Sequence, residues 1–246
     1  IRGITVTLVD PKVQGQDAFD KTMEGLLYYN RFLDSKPDFY MRTTKVADID
    51  KARKENKMAV FYLAQNSTHF MRDLDNVDVF YGMGMRSSQI TYNYQNWAGC
   101  GCKDINGSGL TTFGHELVEK MNDVGMIVDL SHSNEATTMD SIKASKMPIH
   151  ISHTCCKDLF DHERNMPDNI LKAMADKGGL MGVTQMRTFM THGHDIQAYY
   201  DHILHAINVC GEDHVCIGSD RDHRRLTMTE EYIAELKAEE GAQFDA

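Results

Sequence analysis

Short apolar segments alternate with segments of helical periodicity along most of this chain. Seven segments are rich in aliphatic and β-branched residues without strict alternation of apolar and polar positions, which is typical of parallel strands covered on both faces. They are GITVTLV (3–9), MAVFYLA (58–64), SQITY (88–92), MIVDL (126–130), PIHI (148–151), LMGVTQM (180–186) and HVCIG (214–218). The pattern therefore predicts a mainly parallel sheet.

Helical periodicity fills the intervals between these strands. In the segment 111–124 apolar residues recur at helical spacing, and Gly125 stands where a C-terminal cap is expected. In the segment 164–179, Pro167 suits the first turn of a helix and Gly178 suits its end. Two further helices are predicted over 18–33 and 195–208.

Alternation of strands and helices implies right-handed βαβ units around a parallel sheet. Seven strands in 246 residues favour a (β/α)8 TIM-type barrel with one strand missing over an open doubly wound sheet. Neither a G-x-G-x-x-G motif nor a P-loop follows any predicted strand, which argues against nucleotide binding. We expect one domain that covers residues 1–246.

The composition excludes several classes of partner and location. The formal net charge is −10 and basic residues form no cluster, so nucleic acid and anionic lipid are not expected as partners. The sequence predicts no transmembrane segment and no secretory signal. Six cysteines without a C-x-x-C pair indicate reduced thiols, and we expect a cytoplasmic enzyme.

Polar residues follow the predicted strands, at the end of a barrel where functional groups are found. The irregular segment 93–108 follows a strand as well, so it is expected to lie over the same face. The polar residues at these strand ends are Gln65, Asn66, Tyr92, Asn93, His132, His153, Arg187 and Asp220.

The dipeptide Ser-His follows two consecutive strands, and it carries the strongest chemical hypothesis. One histidine at a strand end is usually an ordinary hydrogen-bonded residue. Adjacent parallel strands lie about 4.8 Å apart, so His132 and His153 can both reach one divalent cation such as zinc. Asp220, on a further strand, could accept a proton from a water molecule that the metal activates. The arrangement predicts a metal-assisted hydrolase.

Four segments resemble the renal (membrane) dipeptidase family of the amidohydrolase superfamily. They are GLTTFGHELVEKMNDVGMIVDLSH, PIHISHT, ERNMPDNIL and IGSD. The resemblance runs in order over residues 109–220 and more loosely back to Ile4. It implies a (β/α)8 barrel with a two-zinc site that hydrolyses dipeptides, using a metal-activated water molecule to attack the carbonyl.

The resemblance also implies roles for individual residues. His132 and His153 match the two histidine ligands of one zinc ion. Arg164 matches the arginine that holds the terminal carboxylate of the substrate, a task for which a bidentate guanidinium is suited. Asp220 matches the carboxylate that contacts the metal and transfers the proton of the attacking water. Tyr92 stands at the position of a substrate-proximal histidine, and with Asn93 it is a candidate substrate-binding residue.

The sequence departs from the family pattern around the second metal. Gln65 replaces the glutamate that bridges the two metals, and a neutral amide supplies no charge to offset two cations, so Gln65 is a weak candidate ligand. The family's H-x-D ligand pair has no counterpart, and its first strand and closing helices are expected to lie outside this sequence. The Gln65 and T-Y-N patterns resemble a divergent bacterial branch. We therefore expect one zinc ion and a poorly bound second one.

Three functional hypotheses follow. The first is a metal-dependent hydrolase of dipeptides or similar small amides. The second is an amidohydrolase-like enzyme that acts on another small molecule with one metal ion or none. In this hypothesis Gln65, Tyr92 and the segment 220–224 define a changed pocket. The third is a degenerate barrel that binds a partner without catalysis, which the joint retention of His132, His153, Arg164 and Asp220 disfavours. For the oligomeric state, a homodimer is an open alternative to a monomer.

Overall fold

The structure of the protein, a computed structural model, describes residues 3–8, 10–190, 196–221, 227 and 229–240. The strands are β1 (Gly3–Thr7), β2 (Tyr40–Arg42), β3 (Met58–Ala64), β4 (Met85–Gln89), β5 (Ile127–Asp129), β6 (His150–Thr154), β7 (Leu180–Val183) and β8 (Val215–Ile217). The α-helices are α1 (Gly15–Asp34), α2 (Val46–Lys54), α3 (Asp75–Gly82), α4 (Thr112–Val124), α5 (Glu135–Ala144), α6 (Asp168–Asp176), α7 (Ile196–Cys210) and α8 (Glu230–Glu240).

All pairings in the sheet are parallel, and neighbouring strands follow one another along the chain, except that β2 intervenes between β1 and β3. The order is β1-β3-β4-β5-β6-β7-β8, and the short β2 pairs with the first residues of β3. This curled half-barrel confirms the predicted incomplete TIM-type barrel. Because every strand is parallel, the carboxyl ends of all strands lie along the same rim.

The hydrophobic core lies between the outer face of the sheet and the helices that cover it. Its largest fully buried side chains include Tyr62, Phe70, Phe80, Met85, Leu117, Met121 and Ile151. Helix α4 shows how local sequence builds this layer. The Thr111 hydroxyl accepts a hydrogen bond from the amide of Gly114, and Gly125 ends the helix in the left-handed conformation (φ 82°). Both ends of the predicted helix 111–124 are therefore confirmed.

Three strand predictions differ from the structure by three residues at one or both ends. Strand β6 covers His150–Thr154 rather than 148–151, so His153 lies within the strand instead of following it. Strand β4 covers Met85–Gln89 rather than 88–92, because Ser87 and Gln89 face polar partners inside the sheet and gave no apolar signal. Strand β7 ends at Val183, three residues before the predicted end. The three-residue strand β2 was absent from the prediction because it is too short to show a period.

None of the helices in the described part of the chain has both the length and the apolar character that a membrane span requires. The predicted cytoplasmic location and the single-domain organisation stay predictions. All six cysteines are free thiols, and Cys155 and Cys156 are fully buried.

Candidate metal and substrate site

The two predicted ligand histidines lie side by side at the carboxyl rim of the sheet. His132 follows β5 and His153 lies within β6, and both side chains are buried. Their ring centroids are 4.9 Å apart, with 70° between the ring planes. The structure thus brings the repeated Ser-His pairs together, as the spacing of parallel strands predicted.

The loop after β4 holds the His132 ring. The side-chain oxygen of Asn93 lies 2.7 Å from Nδ1 of His132, and the Tyr92 ring packs on the imidazole at 4.1 Å between centroids. Since a carbonyl oxygen only accepts, Nδ1 carries the proton and Nε2 offers its lone pair. Asn93 therefore supports the imidazole, a contact that the substrate-binding prediction did not include.

Buried Asp129 connects the two Ser-His pairs. Its carboxylate accepts hydrogen bonds from the hydroxyls of Ser131 (3.0 Å) and Ser152 (2.5 Å), and the two hydroxyls lie 3.1 Å apart. The Ser152 hydroxyl also lies 2.9 Å from Nδ1 of His153. Sequence reasoning singled out the histidines and missed these three residues. The signal that could have found them is the serine that precedes each histidine.

Burial keeps both imidazoles neutral. It is the main cause that lowers the pKa of His132 well below its usual value, and the positive charge of Arg164 lowers it further. Burial also lowers the pKa of His153, although the negative charge of Asp220 acts in the opposite direction. Neutral imidazoles are the form that binds metal ions.

Arg164 lies buried within electrostatic range of both histidines. Its side chain is 3% exposed, and Nη1 and Nη2 have no hydrogen-bond partner within the described residues. The guanidinium carbon lies 5.1 Å from the centre of the Phe189 ring. A buried guanidinium with two unpaired nitrogens is suited to bind an anionic group, to which it donates hydrogen bonds.

Two further residues were predicted to contact a metal ion, Asp220 and Gln65. Asp220 follows β8, is partly buried, and has a left-handed backbone (φ 52°), a conformation also found at His132 (φ 67°) and Asn93 (φ 54°). Such strained positions cluster at functional sites. Gln65 follows β3 directly and is partly buried. Residues 222–224, which the second functional hypothesis included, lie outside the described residues.

The described donor set offers two imidazoles to a metal ion. Nε2 of His153 is buried without a hydrogen-bond partner in the described structure, as expected for a nitrogen reserved for a ligand. Imidazole nitrogens suit zinc. No group of three or more His, Cys, Asp or Glu side chains in the described ranges is arranged to hold a metal ion, so the described residues offer the two imidazoles as a partial ligand set.

An apolar cavity of about 330 Å³ lies at the opposite rim of the sheet, and Gly125, Ile127, Met147, Pro148, Ile149 and Leu180 are among the residues that line it. Polar groups do not converge there as they do at the carboxyl rim. The candidate site is therefore the rim with His132 and His153 and not this cavity.

The sequence matches a known protein family over most of its length. Residues 4–231 match the family described as membrane dipeptidase (peptidase family M19). An uncharacterized dipeptidase of Schizosaccharomyces pombe is 36% identical over an alignment of 151 residues, and the match covers 58% of this chain and 36% of that protein. The matched segment thus spans about a third of the curated relative.

Solved structures share the fold over most of the chain. An amidohydrolase from Pseudomonas aeruginosa has a TM-score of 0.84 and 32% identity, covering 98% of this chain and 71% of that one. A metallo peptidase from Rhodobacter sphaeroides, liganded with a phosphinate mimic of the dipeptide L-Ala-D-Ala, has a TM-score of 0.77 and 22% identity, covering 92% and 74%.

Proposed function

Because the chain belongs to the membrane dipeptidase family, we propose that it is a metal-dependent hydrolase of dipeptides or similar small amides. The observation that carries this proposal is the buried pair of neutral imidazoles beside a buried, unpaired guanidinium. The first group is suited to a metal ion and the second to the carboxylate of a small peptide. The exact substrate and the identity of the metal belong to the proposal.

His132 and His153 would hold the metal through their Nε2 atoms. When bound, zinc polarises the scissile carbonyl and lowers the pKa of a water molecule. Arg164 binds the terminal carboxylate and thereby fixes the scissile bond relative to the histidines. The Tyr92 ring, which packs on His132, limits the space on that side of the substrate.

The carboxylate of Asp220 would accept the proton of the attacking water and return it to the leaving amine. Its negative charge acts on His153, which supports a position beside the metal site. The variant Asp220→Asn suits a test, because asparagine tolerates the left-handed backbone of this residue. We expect kcat to fall by about 100-fold or more.

The decisive experiment is a hydrolysis assay of the protein with and without added zinc. We expect zinc-dependent release of alanine from L-Ala-D-Ala or L-Ala-L-Ala, and loss of this activity in His153→Gln. His115→Gln changes an exposed histidine of α4 and serves as the matched control.

The same assay separates the alternatives. Hydrolysis of lactones or N-acyl amino acids without any dipeptide turnover would favour an amidohydrolase-like enzyme with another substrate. Absence of all turnover, together with unchanged metal content in His132→Ala, would favour a non-catalytic binding protein.

A further inference from the structure

The hydroxyl of Ser152 stands between a buried carboxylate and a candidate ligand. Its Oγ lies 2.5 Å from Oδ2 of Asp129 and 2.9 Å from Nδ1 of His153. A hydroxyl has one proton to donate, so it can donate to only one of these neighbours. The direction of this short chain of hydrogen bonds therefore determines which nitrogen of His153 carries a proton.

The surroundings of Asp129 fix that direction. Oδ1 accepts from the backbone amides of Ser131 (3.1 Å) and Ser152 (3.0 Å), groups that can only donate. The side-chain amide of Gln89 lies 3.2 Å from Oδ2 and donates as well. A fully buried carboxylate that receives this many donors acts as an acceptor towards Ser152.

We propose that Asp129, acting through Ser152, holds the proton of neutral His153 on Nδ1 and so keeps the Nε2 lone pair directed into the candidate site. Ser152 donates to Asp129, and its oxygen then accepts from Nδ1–H of His153. Nε2 is left as an acceptor, which agrees with its burial without any partner in the described structure. Asp129 and Ser152 are positioning residues, because they act on the ligand and contact neither metal nor substrate.

Backbone packing around Ser152 supports a fixed geometry. Gly182 and Gly218 lie so close that a Cβ atom on either would stand 2.0 Å from the carbonyl oxygen of Ser152. The backbone amide of His153 also donates to the Ser131 hydroxyl at 2.9 Å. The backbone of Ser152 and His153, which carries the hydroxyl and the ring, is thus held by contacts on both sides.

The tautomer can be measured directly in the protein without metal. Long-range ¹H–¹⁵N spectra of histidine-labelled protein at pH 7.5 distinguish a protonated ring nitrogen from an unprotonated one, and His153→Gln assigns the signals. We expect the wild-type protein to show the proton on Nδ1. A proton on Nε2 would overturn the proposal.

Four variants test the cause of this tautomer. Ser152→Ala removes the acceptor, and we expect a mixture of both tautomers, with Ser152→Thr restoring the wild-type spectrum. Ser131→Ala also removes a hydroxyl bonded to Asp129, but the contact between the Ser152 hydroxyl and the His153 ring remains. The tautomer of His153 should therefore stay unchanged in this variant. In Asp129→Asn, the amide can donate to Ser152, which then donates to Nδ1 and moves the ring proton to Nε2. An unchanged spectrum in folded Ser152→Ala would refute the role of the hydroxyl.

The inference that this tautomer serves metal binding through Nε2 of His153 rests on the proposed function. When the proteins are titrated with zinc, we expect Ser152→Ala to bind about tenfold to hundredfold more weakly than the wild type, and Ser152→Thr to bind nearly as the wild type does. Equal affinity in Ser152→Ala and wild type would contradict the positioning role. If the wild type binds no zinc, the proposed function fails, and the spectra still decide the tautomer.

Discussion

The imidazole rings of His132 and His153 lie edge to face, with 4.9 Å between their centroids. At this separation two Nε2 atoms can reach one ion at about 2 Å each. A second ion would lack charged ligands, since Gln65 offers only a neutral amide. We expect about one zinc ion per chain after loading and desalting, measured by inductively coupled plasma mass spectrometry.

Variants of the pair test this stoichiometry. His132→Ala and His153→Ala should each lose the bound zinc, whereas His115→Ala, a change on the exposed face of α4, should retain it. Two tightly held zinc ions per wild-type chain would contradict the prediction of a single site.

Under the proposed function, the buried guanidinium of Arg164 predicts a preference for substrates with a free carboxylate. In Arg164→Lys the charge remains and the bidentate geometry is lost. We expect kcat/KM for free dipeptides to fall by about tenfold to hundredfold, mainly through KM, as a charge-assisted hydrogen bond contributes about 1.5–3 kcal/mol.

The matched control for Arg164→Lys is a substrate without the terminal carboxylate. A dipeptide with an amidated C-terminus lacks the carboxylate, so its slower turnover should be nearly the same in wild type and Arg164→Lys. An equal loss with both substrates would show that Arg164 serves some other purpose than binding the carboxylate.

The family and the barrel could be predicted because their signals are local. The apolar strands, the Ser-His pairs and the arginine of ERNMPDNIL each lie within a few consecutive residues. Contacts between three strands could not be predicted in this way. Ser87 bonds to His150 at 2.9 Å, and Gln89 bonds to Asp129 at 3.2 Å. Both depend on the register of β4, β5 and β6, which no single segment reveals.

The contact between Asn93 and His132 also could not be predicted from local sequence. Position in the sequence placed it among the substrate-binding candidates, since it follows a predicted strand. Only the path of the loop after β4 brings its oxygen to His132. Gly101 permits that path, because a Cβ atom there would lie 2.1 Å from the backbone carbonyl carbon of Asn93.

His69 predicts sensitivity of the fold to acid. Burial against Phe70 and Phe80 lowers its pKa to about 3, although a hydrogen bond with the backbone of Asn66 acts to raise it. Below pH 6.5 the unfolded chain binds a proton at His69 that the folded protein does not bind. The free energy of unfolding therefore decreases as the pH is lowered. From pH 7 to pH 5 the loss from this residue amounts to about 2 kcal/mol.

Urea denaturation at pH 7 and pH 5 measures this contribution. His69→Leu cannot take up the proton, so it should lose about 2 kcal/mol less than the wild type over this interval, whatever its stability at pH 7. His115→Leu, at an exposed histidine, should retain the wild-type pH dependence. Identical pH dependence in His69→Leu and wild type would mean that His69 is protonated in the folded state.

Asn93 and Asn56 form a matched pair that separates backbone strain from support of the ligand. Both have a left-handed backbone, with φ of 54° and 55°, and Asn56 is exposed far from His132 in sequence and fold. Glycine accepts this conformation without strain, so both Asn93→Gly and Asn56→Gly should fold. Only Asn93→Gly removes the acceptor for Nδ1 of His132, and zinc affinity should therefore fall by about tenfold or more in that variant alone. Calorimetric titration with zinc compares the two, and equal affinities would show that His132 keeps its orientation without the Asn93 oxygen.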